Sequence, residues 1–211
     1  DAPGSLWDLL HRIQGERMMY SSGDLYRKRR AQGIRFPEDY VVLDLETTGL
    51  SPEKDEIIDI AAVRYIGGEK VAEFSTYVRP RSPIPQEITE LTGIDDTMVK
   101  DAPEIEDALE SLDMFLNMDD IIVGHNVGFD IRFLAQAYSR IGKEFMPEAF
   151  DTCAVSRRLY PELPKHRLID LMQAFNIRES QSHTAYDDCE MCNACLVHMK
   201  EDCAPIRSAW D

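Results

Sequence analysis

The stretch Val41-Val42-Leu43-Asp44-Leu45-Glu46-Thr47-Thr48-Gly49-Leu50 decides the fold of this 211-residue chain. Its apolar opening reads as a buried strand. Two carboxylates follow at the strand's end, one residue apart. Strand side chains alternate between faces, so Asp44 and Glu46 point to the same side. Two acids side by side on a core strand repel each other and are costly to bury. A divalent cation with oxygen ligands, set between them, offsets that cost. Gly49 is expected to let the backbone turn sharply and approach a ligand closely.

Two further segments extend the pattern. Gly124-His125-Asn126-Val127-Gly128-Phe129-Asp130 places an acid just after the apolar stretch Ile121-Ile122-Val123. His183-Thr184-Ala185-Tyr186-Asp187-Asp188 places a histidine five residues before another acid. Four carboxylates and one histidine thus come from three distant segments.

The totals narrow the function classes. The formal net charge of −16 argues against a protein that grips long duplexes through a broad basic surface. It does not argue against an enzyme that draws one strand end into a metal-filled pocket, because the ions bring local positive charge. No apolar run is long enough to span a bilayer, and Asp1-Ala2-Pro3-Gly4-Ser5 does not read as a signal peptide. The missing initiator methionine fits a trimmed chain or a piece of a longer protein. Five cysteines, an odd number, do not read as a secreted disulfide framework. Reduced cytoplasm is the expected location.

Along the chain, residues 1–39 read as a separate helical extension. Leu6, Trp7, Leu9, Leu10 and Ile13 suggest a short amphipathic helix. Arg27-Lys28-Arg29-Arg30 is either a solvated helix face or a contact to a nucleic-acid backbone or acidic partner. Residues 40–205 form the main domain. Strands are expected up to Glu46, over Ile57–Ile66 and Val71–Val78, with Gly67-Gly68 as a hairpin signal. Two short strands follow, Ile121–Val123 and Phe150-Asp151. Helices are expected over Pro85–Leu91, Pro103–Leu116, Gly128–Ile141, Thr152–Leu159, Arg167–Phe175 and Thr184–Lys200. Three strands, then strands alternating with helices, give an α/β fold with a mixed sheet and helices packed on it.

On these residues the chain resembles the DEDDh family of 3′–5′ exonucleases. The likeness is strongest to the proofreading group, the epsilon subunit of bacterial DNA polymerase III and the exonuclease domains built into some replicative polymerases. It runs from about Tyr40 to about His198, with all three motifs in the family's order. The resemblance implies a ribonuclease H-like fold with a five-stranded sheet, and two divalent ions, Mg2+ or Mn2+. By the same likeness Asp44 bridges both ions. Glu46 and Asp188 bind the ion on the attacking side, Asp130 binds the ion on the leaving side, and His183 is the general base. Ions ~3.5–4 Å apart can stabilise both oxygens of an in-line displacement at phosphorus, and histidine accepts protons near neutrality. The family's spacing selects Asp188 over its neighbour Asp187. A sister group carries tyrosine four residues before the last acid. Position 184 is threonine here, which places the chain with the histidine group.

Substrate contacts implied by the resemblance are backbone groups of Glu46, Thr47 and Thr48 on the terminal nucleotide, with Leu50 as a wedge beside its base. Phe129 either stacks on a base or sugar or packs in the core. His125 and Asn126 bind phosphate or fix their loop. Asp151 reads as a helix cap and His166 as a loop residue. Cys189, Cys192, Cys195 and His198 have a metal-like spacing. Steps of three drift around a helix at about 100° per residue, so the four are read as small hydrophobic packing residues and not as a zinc or iron–sulfur site.

The expected activity is release of nucleoside 5′-monophosphates from single-stranded or frayed 3′ ends. DNA is the expected substrate, because Thr47-Thr48-Gly49 resembles the proofreading group, whereas small-RNA-degrading relatives usually carry methionine where Thr47 stands. An exoribonuclease acting on RNA tails or short oligonucleotides is the alternative within the enzyme class. Outside it stands an interaction subunit in which residues 1–39 dock on a DNA polymerase or other replication or repair partner.

Overall fold

The computed structural model of the chain describes residues 27, 30–178 and 184–204. Three strands come first, β1 (Tyr40–Thr47), β2 (Ile57–Ile66) and β3 (Glu69–Tyr77). Helices α1 (Gln86–Thr92), α2 (Asp96–Val99) and α3 (Ile105–Phe115) lead to β4 (Ile121–Gly124). The chain continues through α4 (Gly128–Arg140), β5 (Glu148–Asp151), α5 (Thr152–Leu159), α6 (Leu168–Ala174) and α7 (Ala185–Cys203).

The strands form one five-stranded sheet in the order β3-β2-β1-β4-β5. β1 pairs with β2, and β2 with β3, antiparallel; β1 pairs with β4, and β4 with β5, parallel. This is the mixed sheet expected from the sequence. Gly67 and Gly68, with φ of 58° and 87°, make the two-residue turn between β2 and β3. Because the turn is that tight, β3 starts at Glu69, two residues earlier than the apolar pattern suggested.

The alternation of β1 sorts its side chains between two layers. Val41, Leu43 and Leu45 pack with Leu109 and Leu112 of α3 and Phe133 and Leu134 of α4. Tyr40 and Val42 pack on the other face with Ala61, Val63 and Tyr65 of β2 and with Ala185, Cys189, Cys192 and Leu196 of α7. Asp44 and Glu46 continue the Tyr40–Val42 row, so they lie on the α7 face. Fold and site share one cause: the row that is apolar where α7 covers the sheet turns acidic at the strand's end.

β2 and α5 have the expected bounds, and other element ends differ from the sequence reading by at most three residues, with α7 running on past Lys200 to Cys203. Helix α2 was not foreseen. It is a single turn without apolar periodicity, and Asp95 caps it by accepting the N–H groups of Thr97 and Met98. The expected Leu6–Ile13 helix, with Lys28 and Arg29, falls outside the described residues. Arg27 and Arg30 face the chain's own acids: Arg27 pairs with Asp202 at 3.1 Å, and Arg30 with Glu162 at 3.6 Å. The Arg27 guanidinium also lies 4.6 Å above the Tyr160 ring.

Candidate active site

Carboxylate oxygens of Asp44, Glu46 and Asp188 lie within 4.8 Å of one another. Each comes from the element that the face pattern assigns. Asp44 and Glu46 stand on β1, and Asp188 stands in the first turn of α7, which packs on the same sheet face. The helix opens at Thr184, whose hydroxyl donates to Asp187 at 2.5 Å and accepts the Asp187 N–H at 3.2 Å. Asp187 is thereby turned to the cap, and Asp188 faces the sheet. The local positive field of a helix N-terminus favours an acid there.

Asp130 reaches the same strand end from the first turn of α4. It is 4% exposed and accepts the Leu45 N–H at 3.2 Å. It stands outside the compact triple but acts directly on it. Burial, and then the charges of Asp130, Asp188, Glu46 and Asp59, push the Asp44 carboxyl well above its ordinary range. Burial, with Asp188 and Asp59, raises Glu46 to about 7. Burial likewise raises Asp130, although its N–H bonds oppose the shift. The charges acting on Asp44 are all negative. Such a group repels itself when ionised, and its all-oxygen donor set suits hard divalent cations such as Mg2+ or Mn2+. The cluster therefore fits the ions that the sequence implied.

The sequence reading missed Asp59. It is 2% exposed, sits opposite Glu46 in the β1–β2 register, and accepts the Ala185 N–H at 3.3 Å. It ties β2 to the start of α7, three residues before Asp188. Burial raises its carboxyl to about 6. Its signal was present: one acid in the otherwise apolar run Ile57-Ile58-Asp59-Ile60-Ala61-Ala62-Val63.

The remaining expected residues separate. His183 lies outside the described residues. Thr47 is buried, and its hydroxyl donates to the Gly49 carbonyl at 2.6 Å. Thr48 clamps the β1–β2 loop through its N–H to the Glu56 carbonyl and its hydroxyl to the Glu56 N–H. Leu50, on that loop, is 84% exposed. The backbone bends at Gly49, as expected, and a Cβ there would lie 2.4 Å from the Asp55 carboxylate, which would have to shift. That carboxylate accepts the Ser51 N–H at 2.8 Å and holds the loop.

Both ring nitrogens of His125 are engaged within the chain. Nε2 donates to the His166 carbonyl at 2.7 Å, and Nδ1 faces the Thr152 hydroxyl at 3.1 Å, whose one proton is shared with the Gly124 carbonyl. Burial lowers the pKa of this histidine and favours the neutral form. His125 therefore fixes the loop. Asn126 is exposed with φ of 66°, and its N–H donates to Asp151. Asp151 caps α5 through Cys153 and Ala154. Phe129 is half-buried, its ring 4.8 Å from that of Phe133. Core packing thus takes one part of Phe129 and leaves the rest uncovered.

The thiols of α7 point to different neighbours. Cys189 faces the carbonyls of Val42 and Ala61, Cys192 faces Thr152, and Cys195 faces the sulfur of Met172. His198 stacks on Phe175 at 4.2 Å between ring centres. Among the described residues they form no metal-ligating group.

The exonuclease family model RNase_T matches residues 41–196, a span that holds all of these acids. The PolC-type DNA polymerase III of Bacillus subtilis is 41% identical over 169 residues, 79% of this chain and 12% of that protein. The corresponding enzyme of Oceanobacillus iheyensis is 42% identical over 156 residues, 74% of this chain and 11% of its own length. The chain therefore spans only a small part of these curated relatives. Among solved structures, Exonuclease X in complex with 5′ overhanging duplex DNA aligns with a TM-score of 0.63 at 29% identity. That alignment covers 77% of this chain and 91% of that one. E. coli Exonuclease I in complex with a dA16 oligonucleotide shares the fold, with a TM-score of 0.67 at 23% identity, covering 76% of this chain and 41% of that one.

Proposed function

We propose that this chain, which belongs to the RNase_T exonuclease family, removes nucleotides from the 3′ end of single-stranded or frayed DNA and releases nucleoside 5′-monophosphates. The observation that carries this reading is the gathering of Asp44, Glu46 and Asp188 within 4.8 Å, beside the buried Asp130. Asp44, Glu46, Asp188 and Asp130 would hold the ions, with Asp44 serving both. Bound there, two divalent ions would supply charge stabilisation at the scissile phosphate and raise the acidity of the attacking water.

The chain's own groups do the rest. His183 takes the proton of the attacking water. A water oxygen bonds to phosphorus, the bond from phosphorus to the 3′-oxygen of the preceding nucleotide breaks, and that oxygen takes a proton from solvent. The exposed Leu50 wedges beside the terminal base, and the backbone of residues 46–48 holds the terminal nucleotide. The uncovered part of Phe129 offers a stacking surface. The relatives that are DNA polymerases support DNA as substrate and a polymerase assembly as the setting.

Matched 5′-labelled DNA and RNA strands, incubated with and without Mn2+, test this reading. The expected result is a ladder that shortens from the 3′ side, faster on DNA. Immediate release of a labelled mononucleotide would reverse the direction, and faster loss of RNA would reverse the substrate.

A further inference from the structure

A second concavity opens at the same end of the sheet. β1, β4 and β5 run parallel, so their C-terminal ends share one edge, where ligands gather in open α/β sheets. The acid group occupies the end of β1. A cleft of about 780 Å³ opens off the ends of β4 and β5, between the Asn126 turn, α5 and the loop before α6. Arg157, Lys165 and Arg167 line it and are exposed. Arg157 stands one turn after Cys153, which lines the same cleft.

What marks this cleft is three cations lining one concavity. The chain carries a net −16, and most of the described cations with printed partners sit on acids. Arg167 is bonded to Asp170 at 2.8 Å and contributes little. Arg157 and Lys165 form no ion pair among the described residues. Two acids border it: Asp151, whose Oδ1 accepts the N–H groups of Asn126, Cys153 and Ala154, and Asp170, which is bonded to Arg167. The cleft is therefore an open cationic pocket in an acidic protein. Adjacent strands lie ~4.8 Å apart, so a cleft one or two strands from β1 begins within ~5–10 Å of the acid group.

We propose that this cleft is a phosphate-binding track, in which Arg157 and Lys165 hold the first backbone phosphates upstream of the scissile one. The proposal rests on the functional reading above and extends it from the strand end to the strand. A sequence-independent contact to phosphate from two unpaired cations suits a nuclease that must pass every base.

The test is the double substitution Arg157→Ala/Lys165→Ala, with Arg157→Lys as the charge-keeping control. Both positions are exposed, and an unchanged melting temperature checks the fold. Binding of a labelled dT12 strand is followed by anisotropy across salt concentration, in the Asp44→Asn background to prevent turnover. Hydrolysis of the p-nitrophenyl ester of thymidine 5′-monophosphate is followed in the otherwise wild-type protein, since that substrate has no upstream phosphate. The expected result is several-fold weaker strand binding and a salt slope shallower by about 1.4, at ~0.7 per lost contact on a single strand. Arg157→Lys keeps the slope, and ester hydrolysis persists. An unchanged slope overturns the proposal, as does equal loss of strand binding and ester hydrolysis. Free thymidine monophosphate that competes equally well with the strand also overturns it, because the cleft then holds a nucleotide and not a track. If the wild type hydrolyses neither substrate, the functional reading fails, while the slope still judges the cleft.

Discussion

Asp44 is the residue on which the charges of the site converge, so its substitution separates fold from function. Asp44→Asn keeps the size and removes one of several mutually repelling carboxylates. Activity should fall to background, while the metal-free variant melts at or above the wild-type temperature, because the raised Asp44 pKa marks an ionised form the fold disfavours. Chelator-treated thermal melts and a turnover assay check both halves. His183→Ala should lower turnover by ~10²–10⁴-fold with strand binding little changed, as expected for a lost general base. Single-turnover rates and binding constants, measured side by side, distinguish this from a binding defect. Leu50→Ala should weaken strand binding without moving the melting temperature, since 84% of Leu50 already faces solvent. The acids at 44, 46, 130 and 188 were legible because strand alternation and motif order constrain them from sequence alone. Asp59 was not read as part of the site: its meaning depends on register against Glu46 and on the arrival of the Ala185 N–H, both set by tertiary structure. The close approach of Asp55 to Gly49 was not legible for the same reason, since Asp55 comes back against it only in the folded loop.

Helix α7 does two jobs that its cysteines make visible. Its apolar face seals the sheet beneath the acids, and its first turn delivers Asp188. Cys192→Ala/Cys195→Ala should leave turnover nearly unchanged and lower the melting temperature, because both thiols are buried packing groups. Elemental analysis should find no zinc or iron lost in the variant; stoichiometric loss would show that the helix held a metal after all. At this scale the strands, the Gly67-Gly68 hairpin and α5 were readable, since each has a clear period or a turn signal. The single-turn α2 was not, because its stability comes from the Asp95 cap and from Val99 packing on Ile58, Ile84 and Ile94. The basic run was ambiguous in sequence; for Arg27 the ambiguity resolves through Asp202, far along the chain.

For the molecule as a whole, the acid cluster sets a pH dependence opposite to that of ordinary paired carboxylates. Folding raises Glu46 to about 7 and Asp59 to about 6. A carboxylate whose folded pKa is raised binds its proton more tightly in the native state. Its stabilisation is therefore full below the unfolded pKa and is lost as pH rises through the folded value. The metal-free protein should lose stability between about pH 4.5 and 7, and Mg2+ or Mn2+ should restore it at the upper end by binding the ionised cluster. Melting curves across pH, with chelator and with Mn2+, check the sign; metal-free stability that rises over this range would contradict it.

The net charge of −16 fits the same picture, in which strand affinity is local, salt-sensitive and dependent on bound cations. The central claim is that acids from three distant segments form one site for two divalent ions. The most direct measurement is Mn2+ binding stoichiometry by electron paramagnetic resonance, on wild type and Asp44→Asn, with thymidine monophosphate present to complete the site. Two bound ions in the wild type, spin-coupled by their closeness, and loss of that coupled pair in the variant are the predicted result. A wild type that binds no coupled pair, or a variant that keeps one, would contradict it.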